Sequence, residues 1–178
     1  MRLAIAYAPG QARSAWTALL AFDHRLSRAV AGASSPLLAQ LKLAWWRDRM
    51  RTAAATWPVG EPLLAALTAF DGERPALEAL IDGWEGLVGD DADENALARL
   101  VEARTGAVAA LARVIGCPVD GLAIAASARR WTMPCAAIAV QRLPRALRPL
   151  LILANLPPAE EVGALALLRI VRLGMFGR

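Results

Sequence analysis

The sequence is poor in the residues that bind soft metal ions. Its 178 residues include two cysteines, Cys117 and Cys135, and a single histidine, His24. These residues do not have the close spacing of the ligands in a zinc site. The sequence therefore argues against a His/Cys zinc centre, and we expect both cysteines to be buried and reduced.

Long apolar runs are also missing. No stretch approaches the roughly 18–20 uninterrupted apolar residues that a membrane-spanning helix needs. The apolar run within residues 1–9 is too short for a signal peptide. We therefore expect a cytoplasmic protein, with the inner face of the membrane as an alternative location.

β-Branched and aromatic residues are sparse, whereas alanine and leucine dominate the chain. Hydrophobic residues make up 57% of the sequence, which excludes a disordered chain. The composition favours helix, and neither an alternating strand pattern nor an internal repeat is present. The sequence predicts an all-α fold, a single helical-bundle domain over residues 1–178 with six to eight helices.

The net charge of +4 conceals a division along the chain. Residues 1–70 carry eight basic and three acidic side chains, residues 71–120 carry four and eleven, and residues 121–178 carry eight and two. Such a division suits segments that attract one another within a fold, or a surface with a basic and an acidic side. We expect no nucleic-acid partner, because no recognition motif accompanies the basic residues.

Residues 15–50 are the most informative stretch, and they predict two helices that meet at a Gly-Ala-Ser-Ser-Pro turn. Apolar residues repeat at helical spacing through the first helix, which Gly32 ends. Ser35 is a suitable N-cap for the second helix, with Pro36 at its first position. This second helix is predicted to continue to about Ala55.

Asp23 lies on the apolar stripe of the first helix, between Leu19 and Leu26. A buried carboxylate without a partner would be strongly destabilising, so Asp23 must be paired. The sequence offers Arg47 and Arg49 as partners on the next helix. The pair is either a structural ion pair or the relic of a cavity that faced a charged substrate.

The second helix ends in Trp45-Trp46-Arg47-Asp48. Adjacent helical residues point about 100° apart, so the two indoles cannot share one stripe. We expect one to enter the core beside Leu38 and Leu41. The other should pack against a neighbouring helix or line a pocket.

Further helices are predicted for residues 62–70, from Pro75 through residue 88, and for residues 97–115, which should form the longest helix. Asp120 should cap a helix that ends before Pro134. A basic last helix is predicted from about Pro158 to Leu173. It either packs on the bundle or contacts an anionic membrane surface.

An acidic run occupies residues 90–94. Clustered carboxylates can hold Mg²⁺ when they face a common pocket. Acidic residues before a helix are also favoured by the helix dipole and by solvation, without any metal.

At residues 15–50 the sequence resembles the squalene/phytoene synthase family. The shared elements are the Phe22-Asp23 pair, the Ser35-Pro36 turn and the Gln-x-x-Leu-x-Trp-Trp-Arg-Asp run from Gln40 to Asp48. Residues 102–107 resemble the family's next helix. The similarity is greatest to a degenerate branch whose eukaryotic relatives help to assemble respiratory complex I.

This resemblance implies a truncated bundle of the isoprenoid-synthase type. Active members of the family condense two prenyl diphosphates, and two aspartate-rich motifs on facing helices hold Mg²⁺ around the diphosphates. At the two aspartate positions of the first motif, this chain has Ser27 and Ala31 instead. The second should follow Asp120, yet no acidic residue occurs between Asp120 and Glu160.

We therefore expect a non-catalytic relative, without a resident cofactor, that acts as a binding, assembly or accessory subunit of a larger complex, such as a respiratory membrane complex. The alternatives are a minimal Mg²⁺-dependent prenyltransferase that uses residues 90–94, and an isoprenoid- or lipid-binding module. The positions that the resemblance marks as candidates for a pocket or a partner surface are Asp23, Arg25, Arg28, Gln40, Trp46, Arg47 and Asp48.

Overall fold

A computed structural model describes residues 2–89, 95–134, 142–156 and 171–175 of the chain. The regular structure of these residues is entirely helical, which confirms the predicted fold class. Residues 171–175 are helical, and three short 3-10 helices form connections at Ala54–Thr56, Thr68–Glu73 and Arg145–Leu147. Eight further α-helices lie in the described ranges: α1 (Arg2–Ala6), α2 (Gly10–Ala31), α3 (Pro36–Met50), α4 (Pro62–Leu67), α5 (Arg74–Glu85), α6 (Ala96–Val114), α7 (Gly121–Thr132) and α8 (Arg148–Leu153).

The predicted hairpin is formed by α2 and α3. The Ser35 hydroxyl accepts a hydrogen bond from the Leu38 N–H at 3.4 Å, so Ser35 caps α3 as expected. The helix ends at Met50, earlier than the predicted Ala55. The Ala54 N–H donates to the Asp71 carboxylate at 2.8 Å, which draws this segment into a 3-10 turn instead of a continued α-helix.

The later helix boundaries also follow local signals. The Asp120 carboxylate accepts a hydrogen bond from the Leu122 N–H at 3.1 Å and caps α7, which ends at Thr132 before Pro134. The prediction that residues 97–115 form the longest helix was wrong. With 22 residues, α2 is longer than the 19 residues of α6.

Helices α5 and α6 approach each other closely at Gly83. A Cβ atom at Gly83 would lie 2.8 Å from the Cβ of Ala103 and 3.2 Å from the Cα of Leu100. Only glycine fits here without a shift of one helix. This close approach brings Trp84 of α5 near Arg104 of α6, and α2 packs across both helices.

The buried face of α3 differs from the predicted one. Trp46 enters the core, where its ring lies edge-on to Phe22 with the centroids 5.3 Å apart. Leu38 and Leu41, its expected neighbours, are exposed. Because apolar residues are distributed around α3 and alternate with polar ones, hydrophobic spacing alone does not select the face that is buried. The residues that it buries are Ala39, Leu43, Trp46 and Met50.

The uneven charge along the chain is matched by ion pairs between segments. Arg51, which follows α3, contacts Glu78 of α5 at 2.6 Å. This pair joins the basic first segment to the acidic middle of the chain. Within the acidic segment, Arg113 of α6 donates two hydrogen bonds to Glu73, at 2.7 and 2.6 Å.

Within the described ranges, no helix combines the length and the apolar character required to cross a membrane. Most of the predicted helix from Pro158 to Leu173 lies outside these ranges, as does Cys135. Cys117 is a free thiol and is only partly buried, contrary to the expectation of full burial.

Candidate functional site

Asp23 is buried in the centre of the bundle, with 1% of its surface exposed. Its partner is Arg104 of α6, and the predicted pairing with Arg47 or Arg49 was wrong. Arg104 donates from Nε to Oδ1 at 3.1 Å and from Nη2 to Oδ2 at 2.9 Å. This two-point geometry is the strongest that a guanidinium and a carboxylate can form.

Three further side chains complete the surroundings of this pair. The Trp84 indole N–H donates to Asp23 Oδ1 at 2.9 Å, and Arg104 Nη1 donates to the Thr132 hydroxyl at 3.1 Å. The guanidinium carbon lies 5.1 Å from the ring centroid of Trp84 and 4.2 Å from that of Trp131. Four helices therefore meet at one cluster, which we call the Asp23–Arg104 cluster: Asp23, Trp84, Arg104, Trp131 and Thr132.

Within the Asp23–Arg104 cluster, the buried negative charge of Asp23 is neutralised by Arg104. Both carboxylate oxygens of Asp23 accept hydrogen bonds from within the protein. Removing one partner of a buried ion pair typically costs about 3–5 kcal/mol, since an uncompensated charge remains. The arrangement therefore ties α2 to α6 and α7, and it leaves Asp23 little capacity to bind a ligand.

Arg47 forms a second ion pair, between α3 and α5. Its Nη2 lies 2.6 Å from both Asp82 Oδ1 and Glu85 Oε2. Burial by itself lowers the pKa of Arg47, but the hydrogen bonds to Glu85 and Asp82 outweigh it and raise the pKa above its ordinary value. Arg47 thus links α3 to α5 through its ion pairs.

The remaining candidate residues on α3 do not lie together at one site. Trp46 is in the core, whereas Gln40 and Asp48 are exposed. Trp45, with 39% of its surface exposed, stands edge-on to Trp46 at a centroid distance of 4.8 Å. It is the second indole, which was predicted to pack against a neighbouring helix or to line a pocket. It is instead exposed, and its ring contacts are with Trp46 and Arg49 of its own helix.

Arg25 and Arg28 line a groove of about 640 Å³ between α2 and α4. Both side chains are exposed. Arg25 is 3.9 Å from Glu61 on the far wall. These two candidates therefore lie together, and they are separate from the Asp23–Arg104 cluster.

Magnesium ligands are not supplied by the part of α2 where the resemblance places them. Ser27 is half-buried and its hydroxyl donates to the His24 carbonyl at 2.8 Å, and Ala31 has no ligating atom. Arg28 adds a positive charge between them. In the part of the chain that the structure describes, no group of three His, Cys, Asp or Glu residues could hold a metal ion. The acidic run at residues 90–94 lies outside that part.

A comparison with protein-family models decides the family. The model for squalene/phytoene synthase matches residues 1–131. The chain belongs to the squalene/phytoene synthase family. Comparisons with curated proteins and with solved structures give no match. The match covers α1 through most of α7, and the all-helical architecture agrees with the fold of the family.

The match to the squalene/phytoene synthase family includes four residues of the Asp23–Arg104 cluster; Thr132 lies one position beyond it. Sequence reasoning missed Arg104 as the partner, although a signal for it exists. Arg104 lies between Val101 and Val108 on the apolar stripe of α6, as Asp23 does on that of α2. A cation and an anion on two apolar stripes are candidates for pairing with each other.

Proposed function

We propose that this member of the squalene/phytoene synthase family is non-catalytic and acts by binding a protein partner, as an assembly or accessory subunit of a larger complex. The observation that carries this proposal is the saturation of Asp23 by Arg104 and Trp84. A carboxylate held in this way serves the fold, and the neighbouring motif positions, Ser27 and Ala31, have no carboxylate to offer a metal–diphosphate complex.

The outer face of α3 supports the binding role. Four large apolar side chains project from one side of this helix, and we call them the α3 apolar face: Leu37, Leu38, Leu41 and Trp45. Leu37 and Leu41 have 64% and 58% of their surfaces exposed. Exposed apolar residues at positions i, i+4 and i+8 of one helix are typical of a helix that docks into a groove.

Basic residues border this face and indicate the chemistry of the partner. Lys42 is exposed, and Arg49 lies over the Trp45 ring with its guanidinium carbon 5.5 Å from the centroid. A partner protein with an apolar groove and an acidic edge would complement both features.

Co-purification of the tagged full-length protein from its native cells tests the binding role. Leu41→Glu places a charge in the α3 apolar face, and Leu122→Glu makes the same change on α7, where Leu122 has 75% of its surface exposed. We expect one partner to be retained by the wild type and Leu122→Glu. Its recovery should fall about tenfold or more with Leu41→Glu, the size of effect typical of a central contact.

Reconstitution from purified components then establishes whether the contact is direct. A protein that purifies from its native cells as a solitary monomer, or a partner that Leu41→Glu retains in full, contradicts the binding role. The non-catalytic part is tested separately, by incubation with prenyl diphosphates and Mg²⁺. Release of diphosphate above the rate without protein contradicts that part.

A further inference from the structure

A second groove, of about 630 Å³, lies at the end of the bundle where α2 begins. Its walls include the main chain of residues 6–10 and the segment 174–175. Among the described residues, no carboxylate lines it, whereas three arginines do: Arg13, Arg145 and Arg148. We call this feature the three-arginine groove.

Contacts between distant segments bring the three arginines together. The Trp16 indole N–H donates to the Ala146 carbonyl at 2.8 Å, which holds the 3-10 helix with Arg145 against the first turns of α2. Arg148 Nη1 donates to the carbonyls of Gly174 and Met175 at 2.9 and 2.7 Å. The groove is therefore built by tertiary structure, from parts of the chain more than 100 residues apart.

Gly174 closes one wall of the groove. A Cβ atom at Gly174 would overlap the ring of Tyr7. The absence of a side chain lets residues 174–175 approach the start of the chain, and their carbonyls then orient the Arg148 guanidinium.

The positive charge of the groove is not neutralised within the described residues. Arg47, Arg104 and Arg113 each pair with carboxylates. By contrast, Arg13 donates to the Ala8 carbonyl at 3.4 Å, and Arg148 donates to carbonyls while its buried Nε has no hydrogen-bond partner. A concave surface with three such charges attracts a multivalent anion.

The start of α2 adds to this attraction. The helix has 22 residues, and the residue before it, Pro9, offers no side-chain cap. The Ala12 N–H donates to the Pro9 carbonyl, but no side chain caps the positive end of the helix dipole, which lies beside the groove that Gly10 and Arg13 line. Guanidinium groups beside a helix N-terminus suit the oxygens of a phosphate group.

We propose that the three-arginine groove binds a phosphate group, carried by either a soluble phosphate ester or a lipid headgroup. The groove is distinct from the position of the family's first aspartate motif. Arg13 and Ser27 are separated by fourteen residues of α2, or about 21 Å at 1.5 Å per residue. The three-arginine groove also shares no lining residue with the α3 apolar face.

Binding of inorganic phosphate to the full-length protein is the primary test, measured by calorimetry at constant ionic strength. Arg13→Gln/Arg145→Gln removes two exposed guanidinium groups and leaves Arg148 with its carbonyl contacts. Arg129→Gln is the matched control, since Arg129 is an exposed arginine of α7 outside the groove. We expect the double variant to weaken phosphate binding about tenfold or more, and the control to leave it unchanged.

Vesicles of phosphatidylcholine with and without phosphatidic acid distinguish the two sources of phosphate. If the wild type sediments with the phosphatidic-acid vesicles and the double variant does not, the groove is assigned to a lipid headgroup. Phosphate binding without vesicle binding assigns it to a soluble ester. The proposal is overturned if the wild type binds neither probe, or if the double variant, folded by circular dichroism, binds both as well as Arg129→Gln does.

Discussion

The interior of the bundle and the outer face of α3 contrast in polarity: charged side chains are buried in the first, and large apolar side chains are exposed on the second. In the Asp23–Arg104 cluster, charged groups are buried and every Asp23 oxygen has a partner. On α3, leucines and a tryptophan face solvent with no partner in the described residues covering them. Under the proposed function, the buried cluster stabilises the fold and the exposed face of α3 binds the partner.

The largest predicted effect is the loss of Arg104. Arg104→Met leaves Asp23 buried without its cation, so we expect the free energy of unfolding to fall by about 3–5 kcal/mol. Urea denaturation measures this change. Arg51→Met is the matched control, because Arg51 forms an exposed ion pair with Glu78 and should contribute about 1 kcal/mol or less. Equal losses in the two variants would contradict the special role of the buried pair.

The adjacent tryptophans allow the interior and the α3 apolar face to be compared by the same change, tryptophan to alanine, at two positions. Trp46 has 5% of its surface exposed and contacts Phe22, whereas Trp45 has 39% exposed. We expect Trp46→Ala to reduce the free energy of unfolding by about 3–5 kcal/mol. Trp45→Ala should reduce it by about 1 kcal/mol or less and instead weaken partner binding. A reversed order in thermal denaturation would show that the face of α3 is wrongly assigned.

A smaller effect is expected at the contact between α3 and α5. Arg47→Met removes hydrogen bonds to Asp82 and Glu85, which are partly exposed, so the free energy of unfolding should fall by about 1 kcal/mol. Raising the salt concentration should reduce the difference between the variant and the wild type, as for any screened ion pair. A loss as large as that of Arg104→Met would mean that charge pairing at the surface and in the interior are equivalent here.

The smallest effect concerns acid stability. The hydrogen bond from Arg113 lowers the pKa of Glu73 below its ordinary value of 4.5, and the Ala54 N–H lowers that of Asp71 below 3.8. A carboxyl group with a lower pKa when folded stabilises the protein above its unfolded pKa, and this contribution is lost as the pH falls through the folded pKa.

Between about pH 6 and pH 3, Glu73→Gln should therefore lose less thermal stability than the wild type. Melting temperatures at the two pH values measure this difference. Asp120→Asn is a suitable control, because it alters an acidic N-cap without removing an ion pair. An identical acid-induced loss in Glu73→Gln and the wild type would exclude a contribution from the Arg113 pair.

Local features were predicted correctly from the sequence, but the partner of the buried Asp23 was not. Ser35 and Asp120 cap their helices as expected, because capping depends on residues that are near in sequence. The burial of Asp23 also followed from its place on an apolar stripe. Its partner, Arg104, is 81 residues away, and proximity along the chain wrongly favoured Arg47. The buried face of α3 could not be chosen from its sequence, since the helix has apolar residues on several sides.

A double-mutant cycle on Asp23 and Arg104 tests the central claim, that the Asp23 carboxylate is held by Arg104 as part of the fold. The free energy of unfolding is measured for the wild type, Asp23→Leu, Arg104→Met and the double variant. We predict that each single variant loses about 3–5 kcal/mol, and that the double variant is more stable than either, because it buries no unpaired charge. Additive losses in the double variant would contradict the claim and return Asp23 to consideration as a ligand-binding residue.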